Sequence, residues 1–167
     1  QLMNKKAKEL NLLNTHFTSP HGLDNEKHYT TAYELAYLTD IALENNDFKK
    51  IVSTNITSIN LNNYSTQIQN TNDLLRKDSN FYGVKTGFTK KSGRCLVSAA
   101  ERNGVKVVCV TLSDTDDWRD HTSLLDLGFE LYKKVDICKE GRLTYELNCT
   151  GGEKKTVKIS NRDALSL

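Results

Sequence analysis

The sequence contains no long hydrophobic run. None approaches the roughly 20 consecutive apolar residues that a bilayer-spanning helix needs, which excludes such a helix. Proline occurs once, and no Pro- or Ser-rich stretch exists, which excludes a long disordered linker. Excess charge is scarce: 23 basic residues stand against 21 acidic ones, for a net charge of +2, and the basic residues are scattered. Nucleic acid is therefore not expected as a partner, because such binding needs a concentrated basic face. The cysteines (Cys95, Cys109, Cys138 and Cys149) form no CxxC pair, and the four histidines are too dispersed for a zinc signature. The opening segment lacks the apolar core and small-residue cleavage site of a signal peptide. No internal repeat is visible.

With 37% hydrophobic residues, the 167-residue chain has material for one domain, or one domain and a small appendage. Residues 1–10 read as the middle of an amphipathic helix with Leu2, Met3, Leu10 and Leu13 on one side, so the chain is expected to belong to something longer. Residues 14–27, with Pro20 and Gly22, read as an ordered loop. Thr31 and Glu34 form a capping box that opens a helix over 31–45, whose stripe of Leu35, Leu38, Ile41 and Ala42 should face a core. A short helical turn is expected over 47–52, and the alternation over 56–61 predicts a strand closed by a turn at Asn62-Asn63.

Three strands, 81–89, 94–102 and 105–112, have connections so short that they must pair antiparallel, the last two through an Asn103-Gly104 turn. In that register Cys95 and Cys109 point to opposite sheet faces, so no bond forms between them, and the thiols are expected free and buried or semi-buried. Asp114, Asp116 and Asp117 are read as capping a helix that runs to about residue 134, rather than as metal ligands. Leu124, Leu125, Leu127, Phe129, Leu131 and Tyr132 supply its apolar side, and Trp118 is read as packing. Beyond it lie short strands at 135–138, 143–149 and 156–159, which together cannot bury a core. The expected division is therefore a larger domain over 1–134 and the beginning of a C-terminal β-domain over 135–167.

Lys85-Thr86-Gly87 lies inside one predicted strand. Glycine at 87 leaves room for an extended peptide against that strand, and a lysine beside a hydroxyl can hold a carboxylate by charge and hydrogen bond. The same tripeptide is one of three motifs of penicillin-binding proteins and class A β-lactamases. Asn14-Thr15-His16-Phe17-Thr18-Ser19-Pro20-His21-Gly22-Leu23-Asp24 resembles a motif of the serine-type D-alanyl-D-alanine carboxypeptidases, the low-molecular-mass penicillin-binding proteins. His28-Tyr29-Thr30-Thr31-Ala32-Tyr33-Glu34-Leu35-Ala36, Ile51-Val52-Ser53-Thr54, Asn70 to Leu75, Gly83 to Thr89, Gly93 to Val97 and Leu124 to Phe129 follow in that family's order. The resemblance runs from about Met3 to Val135, and implies an α+β fold, an antiparallel sheet flanked by helices, followed by the start of a small β-rich domain.

The chain departs from the family's pattern in one large respect. It contains no Ser-x-x-Lys, and Ser53-Thr54-Asn55 stands in the wrong place for the family's Ser-x-Asn. The resemblance therefore implies the C-terminal part of a carboxypeptidase that removes the terminal D-alanine of peptidoglycan stem peptides through an acyl-enzyme and is acylated by β-lactams. No catalytic nucleophile or base lies in this chain, which should be inactive alone. Its partners would be the stem peptide, β-lactams and the missing N-terminal half, as a separate chain or segment. Lys85, Thr86, Gly87 and Thr89 would bind substrate, and the backbone of Phe88 would serve the oxyanion hole. His21 and Arg119 are further candidates, read respectively as a loop histidine bonded to backbone and a solvated helix residue. No metal or organic cofactor is implied, and the parent should work outside the cytoplasmic membrane. Two rivals are a non-catalytic peptidoglycan- or partner-binding module that retains the Lys-Thr-Gly strand, and a β-lactamase. The latter is not expected to carry Pro20-His21-Gly22-Leu23 or a trailing β-segment.

Overall fold

In the computed structural model the described residues are 1–61 and 64–166. They form two compact units: Gln1–Arg102 with Lys106–Leu131, and Asn103–Val105 with the chain from Tyr132 onward.

The first unit opens with α1 (Leu2–Glu9), on which Ala7 is buried. The expected apolar side of α1 is largely uncovered, with Leu2 and Leu13 both exposed. Helix α2 (Ala32–Leu43) begins at the predicted cap, where the Thr31 hydroxyl accepts from the Glu34 N–H at 3.1 Å. The capping box is not closed. The buried Glu34 carboxylate turns away from Thr31 and accepts from the Asn14 N–H at 2.8 Å, from Asn14 Nδ2 at 3.1 Å and from the Thr15 hydroxyl. Burial pushes this carboxyl's pKa up, but the hydrogen bonds from Thr15 and Asn14 outweigh it and hold it below the ordinary value. The residue that should cap a helix thus fastens the preceding loop to it.

The stripe Leu35, Leu38, Ile41 and Ala42 is only half-buried, so α2 does not sit on a closed core as expected. Helix α3 (Asn46–Val52) follows, capped by the Asn45 side chain. Next comes a hairpin of β1 (Ile56–Leu61) and β2 (Tyr64–Gln69), paired Ile56 to Gln69 and Leu61 to Tyr64. The expected Asn62-Asn63 turn lies outside the described residues, and β2 was not anticipated from the sequence. After the short α4 (Leu74–Lys77) come β3 (Phe81–Thr89), β4 (Gly93–Arg102) and β5 (Val105–Leu112), in spatial order β3-β4-β5. Asn103 and Gly104 both take positive φ, 52° and 78°, as a two-residue hairpin turn requires.

Helix α5 (Asp117–Leu131) packs on one sheet face, where Leu74, Phe81, Leu96, Ala100, Cys109 and Leu125 form a closed core. The helix ends before the expected residue 134. Only Leu125 of its leucines is buried, while Leu124, Leu127, Leu131 and the following Tyr132 are exposed. His121 is fully buried in the same layer, its Nδ1 at 2.5 Å from the Ser98 hydroxyl and its Nε2 at 3.0 Å from that of Thr111. Burial pushes its pKa down to about 4, against the opposing pull of Asp117, Asp114 and Asp120.

The second unit contains β6 (Asp136–Cys138), paired with β9 (Leu165–Ser166), and β7 (Thr144–Asn148), paired with β8 (Thr156–Ser160). β9 was not expected. No described residue of the unit from Tyr132 onward is buried, in keeping with strands too few to enclose a core. All four cysteines are free. Cys109 is buried and its thiol is pushed up to about 11 by burial, whereas Cys149 is exposed, contrary to the expected partial burial.

Candidate active site

Strand β3 is an edge strand, so one row of its backbone groups has no sheet partner. Which row is free follows from β4. Phe88 stands opposite Arg94, and the Arg94 carbonyl accepts from the Asp114 N–H at 2.9 Å, on the side away from β3. Amide and carbonyl of one strand residue point the same way. Phe88 and Arg94 are therefore a non-hydrogen-bonded pair, and the Phe88 N–H is directed to the free edge. The same alternation sends the Thr86 N–H and C=O to that edge, while Lys85 and Gly87 pair with β4.

Side chains alternate as well. Lys85 and Gly87, opposite Val97 and Cys95, share one face; Thr86 and Phe88, opposite Leu96 and Arg94, share the other. Lysine and threonine are adjacent in sequence, and their side chains leave opposite faces of the strand. The Lys85 ammonium is exposed and donates to the edge carbonyl of Thr86. The Thr86 hydroxyl lies 2.9 Å from that of Thr71. Gly87 has no neighbour closer than 3.9 Å to where a Cβ would stand, so its face is open. Gly83 is required for a different reason: at φ +95° a Cβ there would lie 2.5 Å from the Val52 carbonyl oxygen, where the end of α3 meets β3.

Depressions open on both faces of this edge. On the face of Lys85, an apolar groove of about 640 Å³ is lined by Leu35, Leu38, Phe48, Val52, Val84 and Val97. Toward α5, a cavity of about 360 Å³ is lined by Lys85, Thr86, Phe88, Arg94, Asp117 and Trp118. Arg94 was not singled out from the sequence. Its Nη2 lies 2.6 Å and its Nε 3.2 Å from the two Asp117 oxygens, and its guanidinium stands over the Trp118 ring at 5.7 Å. The hydrogen bond to Asp117 raises the Arg94 pKa further above its ordinary value. The Asp117 carboxylate is thus spent on this pair and not on capping, while Asp114 accepts from the Asp116 N–H at 3.0 Å.

The other candidates fall elsewhere. Thr89's hydroxyl donates to Asp24 at 2.8 Å and accepts from the Ser92 N–H at 2.9 Å, so it is engaged within the protein. Nδ1 of His21 accepts from the Leu23 N–H at 3.2 Å, shaping its own loop. The 73%-exposed Arg119 side chain pairs with Asp116 at 3.0 Å and does not line the cavity. Among the described residues no cluster of three or more metal-ligating side chains occurs, and no helix is long and apolar enough to cross a membrane.

A helix-flanked antiparallel sheet with a free Lys-Thr-Gly edge is the architecture of the DD-peptidases. The structure is similar to a Streptomyces DD-transpeptidase, with TM-score 0.70 and 32% identity over 77% of this chain and 52% of that one. It is also similar to a Mycobacterium tuberculosis D-alanyl-D-alanine carboxypeptidase, with TM-score 0.71 and 30% identity over 78% and 52%. In sequence it is 30% identical over 169 residues to the D-alanyl-D-alanine carboxypeptidase DacF of Bacillus subtilis, covering 99% of this chain and 43% of the relative. A model of the D-alanyl-D-alanine carboxypeptidase family matches residues 1–116, and the chain belongs to that family. It spans about half or less of the length of the relatives it matches.

Proposed function

We propose that this chain is the C-terminal half of the penicillin-binding domain of a serine-type D-Ala-D-Ala carboxypeptidase, over 1–134, followed by the beginning of a C-terminal β-domain over 135–167. The observation that carries this reading is the Phe88 N–H, directed to the free edge of β3 with Lys85 on one face and Thr86 with Arg94 on the other. An extended stem peptide would add to that edge as a further strand, over Gly87. The hydroxyl of a serine supplied by the N-terminal half, absent from these 167 residues, attacks the carbonyl of the penultimate D-alanine. The Phe88 N–H then donates to the developing oxyanion, D-alanine leaves with a proton, and water hydrolyses the ester. A β-lactam would acylate the same serine.

The face alternation divides the roles. Thr86 and Arg94 hold the terminal carboxylate, the guanidinium oriented by Asp117, while Lys85 serves the side where the serine arrives. Gly87 leaves the room. The apolar groove beside Lys85 is the place we assign to the segment that carries the serine and its lysine base. Without it the chain is inactive, and the whole enzyme acts outside the cytoplasmic membrane on cell-wall peptidoglycan. The absence of Ser-x-x-Lys from the sequence favours one other reading, a non-catalytic peptidoglycan-binding module. Chromatographic assay of D-alanine release by the full-length protein separates the two. A peptide ending in D-Ala-D-Ala should lose one D-alanine and its L-Ala-ended counterpart none, whereas binding without release would establish the module.

A further inference from the structure

A backbone donor at the end of an edge strand is useful only if its direction is fixed. Phe88 is the penultimate residue of β3 and is 70% exposed, and the connection that follows, with Lys90 and Lys91, is exposed as well. Pairing with β4 holds the strand from one side only. From the other direction comes a residue more than sixty positions earlier. Asp24 ends the Pro20-His21-Gly22-Leu23 loop, and its Oδ1 accepts from the Thr89 hydroxyl at 2.8 Å and the Ser92 hydroxyl at 2.5 Å. The ring is closed by the Ser92 N–H, which donates to the Thr89 hydroxyl at 2.9 Å. The Ser92 and Thr89 hydrogen bonds hold the Asp24 carboxyl below its ordinary pKa, so the tie is charged at neutral pH. A cavity of about 310 Å³ lies beneath it, with Gly22 and His28 from the loop and Gly87, Phe88 and Thr89 from the strand among its walls.

We propose that Asp24 is a positioning residue that, through the Thr89 and Ser92 hydroxyls, latches the end of β3 and so fixes the direction in which the Phe88 N–H leaves the strand. The inference rests on the oxyanion role proposed above for Phe88. It assigns Thr89 a task different from substrate contact: its hydroxyl faces Asp24, and its contribution is transmitted one residue back along the backbone. Because the latch is exposed, breaking it should disturb the geometry of the donor far more than the stability of the fold.

The test is the rate of acylation of the full-length protein by a fluorescent penicillin, measured beside the affinity of the reversible complex and the melting temperature. Asp24→Ala and Thr89→Val are each expected to slow acylation about three- to tenfold, with reversible affinity and melting temperature nearly unmoved, because an oxyanion donor acts in the transition state. The double variant should be no slower than either single one, and Thr89→Ser, which keeps the hydroxyl, should restore the rate. Wild-type acylation rates in Asp24→Ala, or a Thr89→Ser as slow as Thr89→Val, would overturn the latch while leaving the reading of the site intact. A wild-type protein that takes no label would overturn that reading and the latch with it.

Discussion

The two faces of the β3-β4-β5 sheet are built to different degrees of completion. Against α5, Leu74, Leu96 and Leu125 are wholly buried, and even a histidine is enclosed with both ring nitrogens satisfied. Against α2 and α3, Val84, Val97 and Ala99 are buried, but the leucines of α2 above them are half-covered and an open groove runs to Lys85. The first face is sealed by α5 around Leu125. The second leaves apolar surface uncovered, and the family's motif stands where the two faces meet at the free edge. The contrast teaches that this unit closes its core on one side of the sheet and leaves apolar surface open on the other, with the Lys-Thr-Gly edge between them.

Substitutions should separate the two sides. The largest effect is expected at the edge: Lys85→Ala in the full-length protein should reduce acylation by about 100-fold or more while the melting temperature moves by no more than about 2 °C. Equal acylation of variant and wild type would remove Lys85 from the site. On the closed face, Leu125→Ala should cost about 2–5 kcal/mol in denaturant unfolding, against less than about 1.5 kcal/mol for Leu38→Ala in the 167-residue chain, because a half-covered side chain leaves no sealed cavity. If the groove is filled in the full-length protein, that gap should narrow there.

The closed face should also titrate. His121 is neutral in the folded protein with a pKa of about 4, against 6.5 for the ordinary group, so the unfolded chain takes up its proton first. Its contribution to stability is complete above pH 6.5, declines as pH falls through that value, and levels off near pH 4, a loss of about 3 kcal/mol. Unfolding curves across that range should show this slope, and His121→Gln should flatten it. Asp117→Asn should cost about 1–3 kcal/mol, because it leaves the Arg94 guanidinium without its charged acceptor. The smallest effect belongs to the second unit. Val157, 43% exposed on β8, should tolerate alanine at less than about 0.5 kcal/mol.

Much of the fold was legible in the residues. Short connections and the Asn103-Gly104 turn specify the three-stranded sheet, and Thr31 marks the start of α2 to the residue. Strand β2 was not legible: Tyr64, Thr66 and Ile68 alternate with Ser65, Gln67 and Gln69, but the apolar members are too few to stand out. The site was legible where a motif is local and obscure where it depends on pairing. Lys85-Thr86-Gly87 reads at once, yet only the register shows that lysine and threonine face opposite ways. The same register, carried across the tight turn, brings Arg94 to the Phe88 position, whereas Arg119 is suggested only by the family resemblance. Glu34 satisfied a local pattern while its carboxylate was committed to Asn14 and Thr15, and Asp24 sat within a recognised stretch while its partners lay more than sixty residues away. Such long-range hydrogen bonds have no signature in a single sequence.

The most direct test of the account is to locate the bond that a penicillin forms with the full-length protein, by digestion and mass spectrometry of the adduct. The account predicts one adduct, on a serine outside these 167 residues and lost in Lys85→Ala; an adduct on any serine within them would contradict it.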